Sequence, residues 1–234
     1  MDIQGLQKLT LLDYPGKTAC TIFLGGCNFR CPYCHNADLV LCPDRGEQIS
    51  QETLFAFLKR RQGLLDGVCV TGGEPLLRRD LEPFLSSIRS LGFSVKLDTN
   101  GSFPDRLKEL VRLGLVDYVA MDIKNSPEGY ARTIGGLSDM LCRVEESVRF
   151  LLSDTVDYEF RTTMVKEFHR EADFLSIGEW IRGAKRYFLQ GFADSGNLVG
   201  GSGSFHGFSR QEAAHIRSLL LPCVSQTHLR GYDT

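Results

Sequence analysis

Short apolar runs alternate along the chain with longer amphipathic stretches, and polar or glycine-containing turns separate them. Short runs bounded by turn residues predict strands, and longer stretches with a period near 3.6 predict helices. The predicted strands are 18–24, 67–71, 93–99, 117–124, 157–165 and 186–190. The predicted helices are 50–61, with Ser50 as N-cap, 79–91, 104–113, 137–153 and 172–183.

The order of these elements predicts the fold class. Six β-then-α units in one chain indicate an α/β protein with a parallel sheet and right-handed crossovers. An open doubly wound sheet and an incomplete barrel both satisfy this pattern. In either architecture, ligands bind at the carboxyl ends of the strands.

The chain after the sixth strand differs in character. Residues 196–207 contain five glycines, and we interpret them as a mobile loop rather than a link between domains. A helix over 209–221, capped by Ser209, and a short strand over 227–232 follow. We expect a single domain over 1–234, with its core at about 18–190 and this appended segment at 196–234.

Polar side chains collect where the predicted strands end. These groups are Cys27, Cys31 and Cys34, then 71–75 (TGGEP), 98–101 (DTNG), Asp122 and Lys124, Arg161 to Thr163, and Gln190. Charged groups on buried strands are costly unless they face a polar site. Because the ends of parallel strands meet at one edge of a sheet, these groups predict one pocket.

The overall composition adds little to this picture but excludes some classes. Apolar residues make up 42% of the chain, charged residues make up 24%, and the formal net charge is −2. Charge therefore gives no indication of nucleic-acid or membrane binding. The first residues lack a signal-peptide pattern, and no stretch approaches the roughly 18 apolar residues of a membrane span. We expect a cytoplasmic protein with reduced cysteines.

Segment 25–36 (GGCNFRCPYCHN) brings three cysteines together with C-x3-C-x2-C spacing. The same spacing fits the buried stripe of a helix, but Pro32 and the two preceding glycines favour a loop. A loop that turns three thiolates inward suits a four-iron cluster and leaves one iron with an open coordination position.

Other chemistries share parts of this segment. Structural zinc prefers four ligands, usually as two pairs, and here His35 and Cys42 are the nearest additional ligands. Residues 31–34 (CPYC) look like a glutaredoxin redox pair, which would leave Cys27 without a role. Residues 31–35 also match the C-x-x-C-H pattern of haem attachment, which needs an oxidising compartment.

With the triplet and GGEP at 72–75 together, the chain resembles the radical S-adenosylmethionine (SAM) superfamily. The aromatic Tyr33 before the last cysteine is also typical of it. The resemblance implies a partial (β/α)6, TIM-like barrel with a [4Fe–4S] cluster on Cys27, Cys31 and Cys34. SAM would chelate the open iron, and one electron from the cluster would cleave it to methionine and a 5′-deoxyadenosyl radical.

The resemblance further implies which residues bind SAM. Gly72, Gly73 and Glu74 would receive the amino group, with Pro75 shaping that turn. Taken alone, the same four residues are typical of a tight strand-to-helix turn. Tyr33 and His35 would lie near the adenine, although His35 also suits a hydrogen bond to loop backbone.

Five strand-end residues complete this implied set. Asp98 and Asn100 would contact the ribose or methionine moiety, whereas Asp122 and Lys124 would lie near the methionine carboxylate. Arg161 is a candidate clamp for a carboxylate, and a structural ion pair is its alternative role. A monovalent cation near Asp98, Thr99 and Asp122, as in some pyruvate formate-lyase activating enzymes, is a further possibility.

Within the superfamily, the chain is most similar to activating enzymes of glycyl radical enzymes, through 31–36 (CPYCHN), 98–101 and 122–124. Residues 9–17 (LTLLDYPGK) are similar to the lead-in of the longer anaerobic ribonucleoside-triphosphate reductase activating proteins. The implied activity is abstraction of a hydrogen atom from the α-carbon of one glycine on a partner protein. The implied partner is the anaerobic ribonucleoside-triphosphate reductase. A flavodoxin or ferredoxin would supply the electron.

Two other functions remain open at this stage. The same cofactors would serve an enzyme that acts on a small molecule, as the deazapurine-forming relatives do, or on a peptide. A binding module stabilised by zinc or a cluster would have no catalysis. The remaining cysteines (Cys20, Cys42, Cys69, Cys142 and Cys223) are too scattered to hold a second cluster, so we expect one cluster.

Overall fold

The computed structural model describes residues 1–42 and 48–232, and within them eight strands form one sheet. The strands are β1 Ile3–Thr10, β2 Ala19–Leu24, β3 Gly67–Gly72, β4 Ser94–Thr99, β5 Tyr118–Asp122, β6 Asp157–Met164, β7 Tyr187–Gly191 and β8 Thr227–Arg230. Their spatial order follows the chain order from β1 to β8. Strands β2 to β8 are parallel to their neighbours, and β1 is antiparallel to β2.

This strand order distinguishes the two architectures that the sequence left open. A doubly wound sheet reverses its strand order at a switch point, whereas here each strand lies beside the next one in sequence. The six parallel strands β2 to β7, with their helices, are the (β/α)6 core that we expected. Among the described strands, β1 pairs only with β2 and β8 only with β7, so the barrel is partial.

The longer helices follow the strands as the hydrophobic pattern predicted. They are α1 Ala37–Leu41, α2 Gln51–Arg60, α3 Leu81–Ser90, α4 Pro104–Arg112, α5 Tyr130–Thr133, α6 Leu141–Leu152, α7 Glu171–Trp180 and α8 Arg210–Leu220. Ser50 caps α2 by accepting a hydrogen bond from the Thr53 amide, and Ser209 caps α8 together with Glu212. Both predicted N-caps are therefore confirmed.

Four elements differ from the sequence prediction. The short helix α1 was not predicted. Strand β1 was not predicted, because its polar residues lie on an exposed edge and give no clear alternation. The short helix α5 lies between the strand predicted at 117–124 and the helix predicted at 137–153, where no element was predicted. Helix α6 begins at Leu141 rather than near residue 137, since a 3-10 turn at Ser138–Met140 precedes it.

The two faces of the sheet carry different side chains. The face toward the helices is apolar and fully buried, with Ile22, Val70 and Leu97 as examples. The inner face carries polar groups, among them the almost fully buried Lys96 and Glu159. This polar inner face surrounds the cavity in which the predicted strand-end residues meet.

Candidate active site

The three cysteines lie on the irregular segment between β2 and α1, as the proline and glycines predicted. Cys27, Cys31 and Cys34 all line one cavity of about 360 Å³. Cys31 is buried, with 6% of its surface exposed, and the other two are half-buried. The loop therefore directs all three thiols into the same space.

Backbone hydrogen bonds fix this cysteine loop (residues 25–36) from both sides. The Gly26 amide donates to the Leu39 carbonyl at 2.8 Å, and the Arg30 amide donates to the Ile134 carbonyl at 3.0 Å. The Arg30 guanidinium also donates to the Cys27 carbonyl at 2.6 Å. The loop is thus held in shape by bonds to its own and neighbouring backbone.

The glycine-rich segment near the C-terminus also contacts this loop. The Gly200 amide donates to the Pro32 carbonyl at 2.7 Å, and the Val199 amide donates to the Cys34 carbonyl at 3.2 Å. Residues 191–193 line the cavity as well. We interpreted 196–207 as a mobile loop, and its hydrogen bonds to the cysteine loop were not foreseen.

The donor set suits an iron–sulfur cluster. All three thiols are free of disulfides, and the Phe29 amide donates to the Cys27 sulfur at 3.4 Å. Hydrogen bonds to ligating sulfurs are a recurrent feature of such clusters. Burial raises the pKa of Cys27 to about 11 and that of Cys31 to about 12, so ligation by thiolates would release protons. Within the described residues, no three His, Cys, Asp or Glu side chains are arranged around a single metal ion.

The 72–75 turn packs directly against the cysteine loop. The Gly73 amide donates to the Leu24 carbonyl at 2.9 Å, and the Glu74 amide donates to the Gly26 carbonyl at 2.8 Å. A methyl group added at Gly72 would overlap the Leu24 backbone, and one at Gly73 would overlap the Gly26 carbonyl oxygen. Both glycines are required because the two backbones approach so closely.

Glu74 lies behind the cavity wall instead of lining the cavity. Its Oε2 accepts from the Asn100 amide at 2.6 Å, and its Oε1 accepts from the Leu76 amide and the Thr99 hydroxyl, both at 2.9 Å. Its side chain is fully buried. Gly72 and Gly73 line the cavity, whereas Glu74 and Pro75 support them from beneath.

Burial raises the pKa of Glu74 to about 7, although its hydrogen bonds act in the opposite direction.

A chain of alternating charges crosses the ends of β4, β5 and β6. The Arg161 guanidinium donates to Asp98 at 2.9 Å and to Asp122 at 2.8 Å. Lys96 pairs with Asp98 from below, and Lys124 pairs with Asp122 at 2.9 Å. We call these five residues (Lys96, Asp98, Arg161, Asp122 and Lys124) the ion chain. Each of them has a partner of opposite charge.

The pKa values in this ion chain follow from burial and pairing. Burial acts to raise the pKa of Asp98 and Asp122, but Arg161 and the lysines outweigh it and hold both below their usual range. Burial acts to lower the pKa of Lys124, and Asp122 outweighs it, so the pKa is raised. Arg161 lies between Asp98 and Asp122 and pairs with both. This agrees with the alternative role that the sequence allowed for Arg161, a structural ion pair.

The remaining predicted residues lie around the same cavity. Asn100 donates to Asn28 at 3.0 Å and points toward the Cys27 sulfur, 3.9 Å away. The buried Tyr33 directs its hydroxyl to the Lys124 carbonyl, 3.5 Å away, and His35 lines the cavity with an exposed side chain. The residues assigned to different ends of SAM therefore share one pocket.

Sequence reasoning missed several residues of this cavity. Gln7 and Asp13 line it from β1 and the β1–β2 connection, and β1 itself was not predicted. Lys96, which does not line the cavity but pairs with Asp98, was also missed, although a lysine inside the apolar run 93–99 was a usable signal, because buried charges require partners. Of the other cysteines, Cys20 and Cys69 are buried on β2 and β3.

Comparison with known proteins shows which family and which relatives the chain is similar to. The model of the Radical SAM superfamily matches residues 21–152, which include the cysteine loop and the strand ends up to β5. A protein of Methanocaldococcus jannaschii, assigned as a glycyl-radical enzyme activating enzyme, is 32% identical over 197 residues, covering 81% of this chain and 79% of its own.

Two further relatives show the range of activities among similar proteins. The 7-carboxy-7-deazaguanine synthase of Koribacter versatilis is 32% identical and covers 68% of this chain and 65% of its own. The pyruvate formate-lyase-activating enzyme of Clostridium pasteurianum is 31% identical, with coverages of 61% and 63%.

Solved structures share the fold. A domain of the pyruvate formate-lyase-activating enzyme of Bacteroides vulgatus superposes with a TM-score of 0.57 at 16% identity, over 70% of this chain and 99% of that one. This similarity agrees with a partial barrel. Among the described residues, the helices lack the length and apolarity that a membrane span requires.

Proposed function

Since the chain belongs to the radical SAM superfamily, whose enzymes use a [4Fe–4S] cluster and SAM, we propose that it activates a glycyl radical enzyme. The partner that we propose is an anaerobic ribonucleoside-triphosphate reductase. When bound, the cluster and SAM supply an electron and a 5′-deoxyadenosyl radical, which removes a hydrogen atom from one glycine α-carbon of the partner.

The observation that carries this proposal is the convergence of the predicted residues on one cavity. Cys27, Cys31 and Cys34 enter it from one loop, and Gly72 and Gly73 enter it from the adjoining turn. This arrangement puts three thiols, which would hold three irons of a cluster, next to a backbone turn whose Gly72 carbonyl accepts a hydrogen bond from the Asn36 side chain at 3.4 Å. Backbone carbonyls of that kind accept hydrogen bonds from an ammonium group such as that of SAM.

The ion chain would orient other groups of SAM than the amino group. We propose that Lys124, at the cavity wall, is the point charge nearest the methionine carboxylate, while Asp98 and Asn100 face the ribose or methionine moiety. Arg161 holds Asp98 and Asp122 apart at fixed positions, since its guanidinium donates to both. A preorganised set of charges avoids reorganisation when the substrate arrives.

The choice of a protein substrate is supported by the relatives. Similarity to the M. jannaschii protein extends over 197 residues, whereas similarity to the K. versatilis deazaguanine synthase extends over 162. Because of the similarity to that synthase, conversion of a small molecule is the second candidate function.

We further propose that a flavodoxin or ferredoxin delivers the electron, and that the protein works in the cytoplasm.

Anoxic reconstitution tests the proposal. We expect about four irons per chain, visible absorbance that bleaches on reduction, and formation of 5′-deoxyadenosine from SAM. Addition of the anaerobic ribonucleoside-triphosphate reductase of the same organism should produce a glycyl radical signal in electron paramagnetic resonance. Cleavage of SAM without any glycyl radical, together with turnover of a deazaguanine precursor, would favour the small-molecule alternative.

A further inference from the structure

Lys124 lies beyond the end of β5, so the sheet does not hold its backbone. Strand β5 ends at Asp122, and the amide of the next residue, Ile123, still donates to the Arg161 carbonyl on β6 at 2.8 Å. In the part of the chain that the structure describes, the backbone groups of Lys124 bond to side chains instead, namely those of Tyr33, Tyr130 and His169. The position of the Lys124 backbone therefore depends on these side chains.

His169 makes the shortest of the three contacts. Its Nε2 lies 2.9 Å from the Lys124 carbonyl oxygen, whereas the hydroxyls of the two tyrosines each lie 3.5 Å from the Lys124 backbone. A carbonyl oxygen only accepts hydrogen bonds, so Nε2 carries the hydrogen. A separation of 2.9 Å is usual for such a bond, and 3.5 Å lies beyond the usual range. His169 is therefore the main anchor of the Lys124 backbone.

The His169 ring is itself fixed in the core. It is 2% exposed and stacks on Phe174, with ring centroids 5.3 Å apart. The Val165 amide donates to Nδ1 at 3.1 Å, which leaves the hydrogen of the neutral ring on Nε2. Burial lowers the pKa of His169 and so favours this neutral form. A protonated ring would donate from Nδ1 to the Val165 carbonyl, 3.0 Å away, and would keep its bond to Lys124.

The side chain of Lys124 extends from this anchored backbone to the cavity. It lines the cavity together with the three cysteines, and its ammonium pairs with Asp122 at 2.9 Å. A lysine side chain is a flexible stem with a point charge at its end, so the place of the charge depends on where the backbone is held. Small displacements of a group that orients a substrate are costly.

We propose that His169 is a positioning residue for SAM, because its bond to the Lys124 carbonyl holds the Lys124 ammonium where the methionine carboxylate binds. This inference rests on the proposed function and on the role proposed there for Lys124. His169 does not line the cavity, so its effect on SAM passes through Lys124. Tyr33, which lies between two of the cysteines, directs its hydroxyl to the same carbonyl, so this anchor also adjoins the cysteine loop.

The test compares the binding of SAM and of decarboxylated SAM, which keeps the amino group but lacks the carboxylate. Calorimetry is done on full-length, anoxically reconstituted protein with the cluster oxidised, so that SAM is not cleaved. His169→Phe keeps a ring against Phe174 but has no donor for Lys124. We expect it to weaken SAM binding about fivefold and binding of decarboxylated SAM by less than about twofold. A general loss of structure would weaken both ligands alike.

Two further substitutions at His169 separate the hydrogen bond from the ring. The side-chain amide of His169→Gln reaches the place of Nε2 and donates there, so SAM binding should stay within about twofold of the wild-type value. The shorter amide of His169→Asn reaches only the place of Nδ1, and this variant should show the same selective loss as His169→Phe. The Asn variant also serves if His169→Phe does not fold.

His228→Phe is the matched control. His228 is exposed on β8, away from the cavity wall, and its ring packs against Phe188 at the same centroid separation of 5.3 Å. This variant should bind both ligands as the wild-type protein does. Lys124→Met is the reference for the carboxylate contact, and it should weaken the binding of SAM much more than that of decarboxylated SAM.

The outcomes distinguish the inference from the function on which it rests. A selective loss in Lys124→Met without one in His169→Phe or His169→Asn would overturn the positioning role of His169 and leave the role of Lys124 intact. Equal weakening of both ligands in Lys124→Met would overturn the role of Lys124 and the inference with it. A wild-type protein that binds neither ligand would overturn the proposed function itself.

Discussion

The guanidinium of Arg161 on β6 reaches across β5 to the carboxylate of Asp98 on β4, with 2.9 Å between Nη1 and Oδ2. The same guanidinium donates to Asp122 on β5. Three neighbouring strand ends are thereby joined into one electrostatic unit along the cavity wall. A change at Arg161 should affect all three at once.

We expect Arg161→Ala to lower the free energy of unfolding by about 1–3 kcal/mol, because two partly buried carboxylates lose a shared partner and keep one lysine each. Urea denaturation measures this loss. Lys166→Ala is the control, since its pair with Glu212 is more than two-fifths exposed on both sides and should cost under about 1 kcal/mol. Equal losses in the two variants would show that the Arg161 bridge contributes no more than a surface pair.

Cys31→Ala should abolish cluster assembly. Cys31 is the most buried of the three loop thiols, and a cluster with two protein ligands loses its anchorage. Iron and sulfide analysis after anoxic reconstitution is the measurement. Cys142→Ala, which changes an exposed cysteine outside the loop, should keep its full iron content. Normal iron content in Cys31→Ala would refute the ligand assignment.

Gly73→Ala should separate the 72–75 turn from the cysteine loop. Its new methyl group would overlap the Gly26 carbonyl oxygen, so the hydrogen bond from the Glu74 amide to that oxygen would be lost. We expect a loss of about 1–3 kcal/mol in unfolding free energy and at least tenfold weaker SAM binding by calorimetry.

Gly5→Ala provides the comparison for this variant. A methyl group on Gly5 meets only Phe23, at an ordinary 3.4 Å. Its stability should be equal to or slightly above that of the wild-type protein, because alanine restricts the unfolded chain. SAM binding as tight in Gly73→Ala as in Gly5→Ala would contradict a role for the close approach at Gly73.

Glu74 should make stability depend on pH in a defined direction. Its pKa is about 7 in the folded protein and about 4.5 in the unfolded chain, so between these values the folded state binds the extra proton. Stability from this group is therefore present at low pH and is lost as pH rises from about 4.5 to 7. The loss amounts to about 3 kcal/mol at 1.36 kcal/mol per pKa unit.

Urea denaturation of metal-free protein from pH 5 to 8 measures this effect. The wild-type curve should decline relative to that of Glu74→Gln, which has no carboxyl group to titrate. Glu212→Gln is the control, because hydrogen bonds from Lys166 and Ser209 lower the pKa of Glu212 to about 2, outside this window. Parallel curves for wild type and Glu74→Gln would contradict the raised pKa.

The Glu74→Gln variant should also weaken SAM binding while preserving the visible spectrum, since Glu74 supports Gly72 and Gly73.

Much of this fold was predictable because each parallel strand is a short apolar run with a helix after it. Strand β1 was not, since its residues face an open edge on one side and the cavity on the other. The cysteine loop could be recognised because Pro32 excludes a continuous helix there. The pairing of Arg161 with both Asp98 and Asp122 depends on strand order, which residue spacing does not contain.

Glu74 is a second residue whose side-chain position the sequence did not determine. Its position in the GGEP sequence indicated a place near the amino group of SAM, but its carboxylate turns away from the cavity toward Thr99 and Asn100. Likewise, Asp13 precedes the first predicted strand instead of following a strand, so the strand-end pattern did not include it, although it lines the cavity after β1.

The bonds from Val199 and Gly200 to the cysteine loop join opposite ends of the sequence. During synthesis, the loop leaves the ribosome long before these two amides exist as donors. The cysteine loop therefore lacks these two hydrogen bonds until most of the chain has been synthesised. We therefore expect iron to be loaded once residues 199–200 have joined the cysteine loop, and not on the nascent chain.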